Sequence, residues 1–598
     1  MDGGYVGKIL FVDLATGGIR VETTDEQLYR DFIGGYGVGA RIIYSWQKAG
    51  ADPLGPQNIL GFTTGPLTGT TFLSGARFTV VAGRSPLTGG WGDANAGGDF
   101  GPTLKAAGYD CVFFSGVADR PVYLLVENGR AELRDASNLW AKGISETDDT
   151  LRAKHGRATS VAAIGPAAES LSLISCIMNN RGAAAGRSGL GAVMGSKKLK
   201  AVAVRGGQSI PIARREESDQ LHKELMAELR AVKNVLAPFR KYGTTAHAAD
   251  SAHNGDTPVK NWGGVGIVDF PDASGLEGEA VIANLWKSEA CWRCPLACQA
   301  LLKEGTGEYR YPRGTARPEY ETLASFGTMC LNNDTESIAM ANYLCNDYGL
   351  DTISAGTTVA FAIECYENGL ITKEDTDGIV LTWGNHEAIV AMTEKMAKRE
   401  GFGDVLADGV KVAAEKIGRG AEHYAVHIGG QELGMHDPKL DAPMWQPASA
   451  RFKMDATPGR HTQRFGPNSF RTHVINAAGI CIFYAMSLGG KRLVDGMRAI
   501  TGLDRSMGEL LKAGERIANM RHVINLREGI NPRDWEVHPR IIGDPPQEAG
   551  PLAGVTTDIE GEINWNLGAL DWDRFSTKPS RRKLMDLGLE DIAQDLWP

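Results

Sequence analysis

Along the first third of the chain, short apolar runs alternate with glycine-rich turns. Lys8–Asp13 (KILFVD), Phe78–Ala82 (FTVVA), Cys111–Gly116 (CVFFSG), Val122–Val126 (VYLLV) and Leu199–Val204 (LKAVAV) are brief and rich in β-branched and aromatic residues, a pattern that predicts strands. Met1 to Val21 reads as a strand pair. Beyond Ile210 the apolar spacing becomes helical, as in Glu216–Asn234, Glu336–Asp347 and Val405–Ile417, and stays mostly helical to the C-terminus. The pattern predicts an α+β multidomain protein: a β-rich base domain over 1–209, then two mostly α-helical domains over 210–420 and 421–598. The second boundary falls in the Gly418–Glu422 stretch. No internal repeat is visible.

Length and charge narrow the picture. A chain of 598 residues exceeds one compact core and has room for a large buried site. A net charge of -9 argues against nucleic acid as a partner, because phosphate backbones are held by clustered Lys and Arg. No window approaches the 18 or so apolar residues that span a bilayer, and no export signal is seen, so a cytoplasmic protein is expected. The 9 cysteines are then not expected to form disulfides, which leaves core packing, nucleophilic chemistry or metal ligation.

Spacing separates these roles. Cys291-Trp-Arg-Cys294-Pro-Leu-Ala-Cys298 is C-x2-C-x3-C, three soft ligands in one short segment. A zinc site usually adds a second close pair, and none is present. A cubane iron–sulfur cluster takes four thiolates, so a fourth cysteine must come from elsewhere. Cys330, Cys345, Cys365 and Cys481 are the candidates. The first three sit in helical patterns and read as core, whereas Cys481 follows Gly479, which permits a tight turn before the thiol; spacing alone leaves the choice open.

Glycine marks further candidate sites. Arg181 to Lys198 (RGAAAGRSGLGAVMGSKK) packs glycines and cations into one stretch, a composition suited to cradling phosphate, although it matches neither the G-x-x-x-x-G-K-[ST] nor the G-x-G-x-x-G fingerprint. A second glycine-rich region runs from Ser74 through Arg77 to Asn95, Gly97 and Gly101, where Asn95 and nearby backbone offer oxygen ligands for magnesium. Asn346-Asp-Tyr-Gly349-Leu350-Asp351 and Asn476-Ala-Ala-Gly479-Ile480-Cys481 share one pattern. Such paired half-motifs suit a pseudo-twofold ligand or two copies of one ligand.

Taken together, these stretches, with Pro318-Glu-Tyr320-Glu321-Thr and the ending Leu587-Gly-Leu-Glu-Asp-Ile, resemble the tungsten-dependent aldehyde:ferredoxin oxidoreductase family over nearly the whole chain. The resemblance implies one tungsten, or molybdenum, held by two pyranopterins whose phosphates are bridged by magnesium, with one [4Fe–4S] cluster nearby. It implies pterin and phosphate contacts from Arg77, Asn95, Gly97, Ala184, Gly186 and Arg187, with magnesium at Asn95 and Ala184. Asn346, Gly349, Leu350 and Asp351 would grip one pterin, and Asn476, Ile480 and Cys481 the other. Cys481 becomes the fourth cluster ligand beside Cys291, Cys294 and Cys298, and the cofactor lies buried at the junction of the domains. Catalysis is implied for Tyr320, Glu321 and His461, the last in Ala456-Thr-Pro-Gly-Arg460-His461; His436 is a rival histidine. The family's E-x-x-H iron site at a dimer contact is replaced by Met340-Ala-Asn-Tyr343, so homo- or hetero-oligomerisation is left open.

The function implied is oxidation of an aldehyde with water to a carboxylic acid, with electrons leaving through the cluster to ferredoxin or a ferredoxin-like subunit. A low-potential reductase acting on an aromatic thioester or a carboxylic acid is the alternative within the fold. A non-catalytic iron–sulfur electron relay is the alternative outside it.

Overall fold

The computed structural model describes residues 2–440 and 449–598, and for 233–236 the backbone alone. Two six-stranded sheets dominate the N-terminal part. The first is built from β1 (Lys8–Asp13), β2 (Gly18–Thr23), β3 (Leu60–Thr64), β4 (Phe78–Ala82), β5 (Gly92–Ala96) and β6 (Cys111–Ser115), in the order β2-β1-β6-β3-β4-β5. The second is built from β7 (Val122–Glu127), β8 (Arg130–Asp135), β9 (Ser160–Ala163), β10 (Ile177–Asn179), β11 (Ala183–Ala185) and β12 (Leu199–Arg205), in the order β11-β10-β9-β12-β7-β8. All the predicted strands form, and the predicted N-terminal pair is the β1–β2 hairpin.

The sheets are topological copies. Each opens with an antiparallel hairpin (β1–β2, β7–β8), pairs the first hairpin strand in parallel with the last strand of the set (β1–β6, β7–β12), and continues through three antiparallel neighbours. The duplication is one of connectivity, and the residues filling it differ, so no repeat shows in the sequence. Strand alternation then sorts the core. Leu10 and Val12 of the first sheet and Leu124 and Val126 of the second share one apolar layer. Phe11 and Phe113 face the other way, with Tyr36 and Ile43 of the helix Gly35–Trp46. Tyr123 and Leu125 face Ile144 and Leu151 of the helix Ile144–His155.

Beyond residue 214 helices predominate, with two departures from the periodicity. The predicted helix Glu216–Asn234 breaks at Val232 into Arg215–Ala231 and Lys233–Tyr242. Val405–Ile417 breaks between two short helices: Phe402–Leu406 ends at Ala407, and Gly409, with a φ of 87°, precedes the next, Val410–Ile417. A hairpin of β13 (Leu285–Glu289) and β14 (Gln299–Leu302) interrupts the helices; its strands, LWKSE and QALL, are too short for a clear alternation to announce them.

Both half-motifs fold alike. The helix Thr335–Tyr348 ends at Gly349 in the left-handed conformation (φ 80°), Leu350 is buried, and Asp351 caps the helix Thr352–Glu367. The helix Ser469–Ala478 ends at left-handed Gly479 (φ 85°), Ile480 is buried, and Cys481 precedes the helical turn Ile482–Ala485. Each docks on an equivalent place in its own sheet. The Gly349 carbonyl accepts from the Cys176 N–H just before β10, and the Gly479 carbonyl accepts from the Arg77 N–H just before β4.

A buried ion network ties the base to the C-terminal part. Asp93 of β5 accepts from Trp91 Nε1 (2.7 Å), from Arg460 (2.7 Å) and from Arg521 Nε (2.9 Å), and Arg521 also donates to Asp455 (2.9 Å). Asp93 and Arg521 are both essentially inaccessible to water. Removing one partner of such a network strands buried charge at a cost of about 3–5 kcal/mol. Arg521→Gln is therefore expected to lower the unfolding free energy by that order, measured by denaturant titration. Burial opposes ionisation of Asp455, but Arg521 overrides it and holds the carboxyl below its usual range. The stability Asp455 contributes is thus present at neutral pH and lost as the pH falls through that lowered value. An acid titration of unfolding is expected to show the Arg521→Gln protein giving way at higher pH than wild type.

Candidate functional site

The four cysteines singled out by spacing converge. Cys291–Cys298 forms the loop joining β13 to β14, curled by left-handed Arg293 (φ 47°) and Ala297 (φ 44°). Trp292 N–H donates to Gly98 O at 3.2 Å, which hangs the loop on the glycine-rich turn after β5. Cys294 Sγ lies 3.2 Å from Ser74 Oγ, and Cys481 N–H donates to Ser74 O at 3.2 Å, so one serine spans the loop and the second half-motif. A Cβ on Gly97 would stand 2.6 Å from Cys291 Sγ; only glycine leaves room for that sulfur. Cys330, Cys345 and Cys365 are buried in the helical core.

Burial pushes the free Cys291 thiol up to about 11 and raises Cys294 and Cys298, with the neighbouring sulfurs adding to the effect. Such a set becomes thiolate only when a cation compensates it. A tetrahedral zinc ion places its sulfurs about 3.8 Å apart. Among the described residues, the group whose donor atoms all lie within 4.8 Å of one another is not these cysteines.

Beside them opens a cavity of about 1330 Å³, larger than an ordinary small-molecule site of roughly 300–1,000 Å³. All four cysteines line it, as do Arg77, Asn95, Gly97, Ala184, Gly186, Arg187, Asn346, Asp351, Asn476, Tyr320, Glu321 and His461. Asn95 on β5 and Ala184 on β11 belong to strands that pack together and occupy equivalent places in the two sheets. Each half-motif meets an arginine of the base: Arg77 lies 3.7 Å from Cys481 Sγ, and Arg187 donates to Asp351 at 3.0 Å. A large cavity with twin grips, two arginines and convergent amides fits a pair of like, phosphate-bearing ligands. Gly349, Leu350 and Ile480 stand behind the wall and fix the shape of the half-motifs. Of the cations in the glycine-rich loop, Lys197 and Lys198 turn away to main-chain carbonyls, and Arg181 is tied to Asp148 and Asp149. Arg181 and Arg187 both line the cavity, each already paired with carboxylates.

The catalytic candidates meet on the same wall. Glu321, in the first turn of the helix Tyr320–Phe326, accepts from Met435 N–H through Oε2 (2.9 Å). Its Oε1 is buried without a hydrogen bond, 3.4 Å from His461 Nε2 and 3.6 Å from His436 Nε2. Burial raises the Glu321 carboxyl, with His436 pulling the other way. Burial and the charges of His436, Arg451, Arg460 and Arg187 hold His461 well below the usual imidazole range. For His436, burial opposes the charge, but the hydrogen bond to Asp256 (2.9 Å) and the nearby Glu321 outweigh it and raise the imidazole. Tyr320 stacks on His436 at 4.7 Å and shares its hydroxyl with Thr257 (2.5 Å) and the Met435 carbonyl (3.0 Å). Asp256 was not anticipated: it lies far from Glu321 in the chain, and no motif marks it. His436, first a mere rival to His461, proves to share Glu321 with it.

Models of two families of domains match the chain: the aldehyde ferredoxin oxidoreductase N-terminal domain over residues 9–206, and domains 2 and 3 of the same enzymes over 220–450 and 464–589. The tungsten-containing aldehyde ferredoxin oxidoreductase of Pyrococcus furiosus is 35% identical, and that of Pyrococcus horikoshii 36%, each over 98% of this chain and 100% of the relative. The chain belongs to the aldehyde ferredoxin oxidoreductase family. A more distant relative, an aliphatic sulfonate oxidoreductase WOR-like subunit of Pyrococcus furiosus, is 29% identical over 99% of the chain and 98% of that protein. Among solved structures, the active-site complex BamBC of benzoyl coenzyme A reductase superposes with a TM-score of 0.85 at 24% identity over 100% of this chain and 99% of that one, a likeness of fold. The family's architecture agrees with the β-rich N-terminal part and helical remainder found here. No helix among the described residues is long and apolar enough to cross a membrane.

In this aldehyde ferredoxin oxidoreductase relative, the fourth thiol is the one most open to test. Cys481→Ser is expected to reduce iron from about four per chain, a cubane's complement, to near background in anaerobically prepared protein, with Cys365→Ser unchanged. Iron analysis and the low-temperature EPR of the reduced protein measure both.

Proposed function

We propose that the protein oxidises an aldehyde with water to the carboxylic acid, adding the water oxygen to the carbonyl carbon and releasing two electrons and two protons. Glu321 Oε1, aimed at two imidazoles on the wall of a cavity that also holds four cysteines, carries this reading. When bound, a tungsten or molybdenum bis-pterin supplies the two-electron acceptor, and a [4Fe–4S] cluster passes the electrons on singly to ferredoxin or a ferredoxin-like subunit. The two half-motifs, with Arg77 and Arg187, would hold the pterins. Asn95 and the main chain of Ala184 would hold magnesium between the phosphates, and Cys291, Cys294, Cys298 and Cys481 the cluster.

The chain's own residues handle the protons. His461, kept neutral, donates from Nε2 to the aldehyde oxygen and so polarises the carbonyl. Glu321, as carboxylate, takes a proton from the attacking water. His436, braced by Asp256 and by the stacked Tyr320 and with its imidazole raised by the carboxylates beside it, steadies the negative Glu321. Tyr320 is thus a positioning residue, since its hydroxyl is engaged with Thr257 and the main chain. The kinship at 35–36% identity over whole chains supports the aldehyde reading over the reductive alternative.

Two measurements test this. Metal analysis is expected to find about one tungsten or molybdenum beside the cluster iron; iron alone would return the protein to the electron-relay reading. With a panel of aldehydes and a viologen acceptor, Glu321→Gln and His461→Asn are each expected to lower kcat by about 10²–10⁴ with metal content intact. Because Glu321 is raised, its carboxylate form is lost as the pH falls through a value above the ordinary glutamate range. Wild-type kcat/KM is expected to show that acid limb, and Glu321→Gln to lack it.

A further inference from the structure

The donor atoms of Glu321, His436 and His461 lie within 4.8 Å of one another, and their arrangement suits more than proton transfer. Two ligands each about 2.1 Å from a tetrahedral ion stand about 3.4 Å apart; Glu321 Oε1 is 3.4 Å from His461 Nε2 and 3.6 Å from His436 Nε2. That carboxylate oxygen is buried with no hydrogen bond, while its twin is anchored by Met435 N–H. On His436 the far nitrogen, Nδ1, is held by the Asp256 carboxylate at 2.9 and 3.0 Å, as metal-bound histidines usually are. A Cβ on Gly434 would lie 2.2 Å from His461 Nδ1, so glycine there lets the second ring approach. Of the cations around the group, Arg187 is paired with Asp351 and Arg460 with Asp93; buried Arg451 adds positive charge, and Asp256 and Glu321 bring negative charge.

We propose that Glu321 Oε1, His436 Nε2 and His461 Nε2 form a site for one divalent transition-metal ion of the zinc type, separate from the pterins and the cluster, and that filling it shuts the pocket down. The ion takes a lone pair from each of the three atoms, and any proton it displaces passes to solvent; no electron moves. Glu321 can then no longer accept the proton of water, and His461 can no longer donate to a carbonyl. The inhibitory half rests on the aldehyde-oxidising reading; the binding half does not.

The experiment uses anaerobically prepared enzyme with its iron cluster filled, dialysed against micromolar zinc chloride, with bound zinc and iron counted by mass spectrometry. Wild type is expected to gain one zinc per chain, and His436→Asn, His461→Asn and Glu321→Gln each to lose it at unchanged iron content, which reports intact folding. Asp256→Asn is expected to weaken binding about 10–100-fold. Turnover of wild type is expected to fall in proportion to zinc taken up and to return with a chelator. No uptake, or equal uptake by wild type and all three ligand variants, overturns the site. Uptake with turnover unchanged overturns the switch. Should no aldehyde be oxidised at all, the function reading fails while the zinc count still decides the site.

Discussion

The carboxylate of Asp93 is the constraint on which the rest of the site depends. It lies on β5, two residues from Asn95 on the cavity wall, and it is bound at once by Arg460 and Arg521. Arg460 immediately precedes His461, so the loop that presents the candidate electrophile is anchored to the strand that presents a candidate cofactor ligand. Arg521 extends the anchor to Asp455 and Thr457 at the start of the same loop. Charges this deeply buried persist only when mutually satisfied. The register between the β-rich base and the His461 loop is therefore fixed by electrostatics that tolerate little slack.

The second organising fact is duplication. Two sheets with the same connectivity each offer one N–H, that of Cys176 or of Arg77, to the carbonyl of a left-handed glycine that ends a helix of the C-terminal part. One base thus receives two helix ends in equivalent fashion, and the cavity between them acquires its twofold character. The copies have diverged where chemistry requires it. The residue closing one half-motif is Asp351, paired with Arg187; that closing the other is Cys481, beside Arg77 and the remaining thiols. Cys481 belongs both to a ligand grip and to the sulfur set, which places the two candidate redox centres side by side.

Much of this was legible in the sequence for a simple reason: the informative signals are local. Strand runs, helix periodicity, C-x2-C-x3-C and the Gly-apolar-ligand half-motifs each lie within a few residues, and the left-handed conformations of Gly349 and Gly479 are what those positions required. What escaped was non-local. The duplication lies in strand pairing, which β-branched composition does not encode. The β13–β14 hairpin has strands of only five and four residues, too short for periodicity to mark them. Asp256 reaches the group only through tertiary folding, and His436, named beforehand as a rival to His461, proves to flank Glu321 together with it. The phosphate-cradle reading of Arg181–Lys198 overcounted its cations, because composition does not say which way a lysine points.

The hanging of the cysteine loop on Gly98, and of Cys481 on Ser74, bears on how the molecule is made. Three of the sulfurs leave the ribosome roughly 180 residues before the fourth, an interval of about 10–35 s at ordinary elongation rates. Tyr36 and Val81 of the base share their core with Val474, Ile480 and Ile517, so the segment that brings the fourth sulfur also completes the packing beneath the other three.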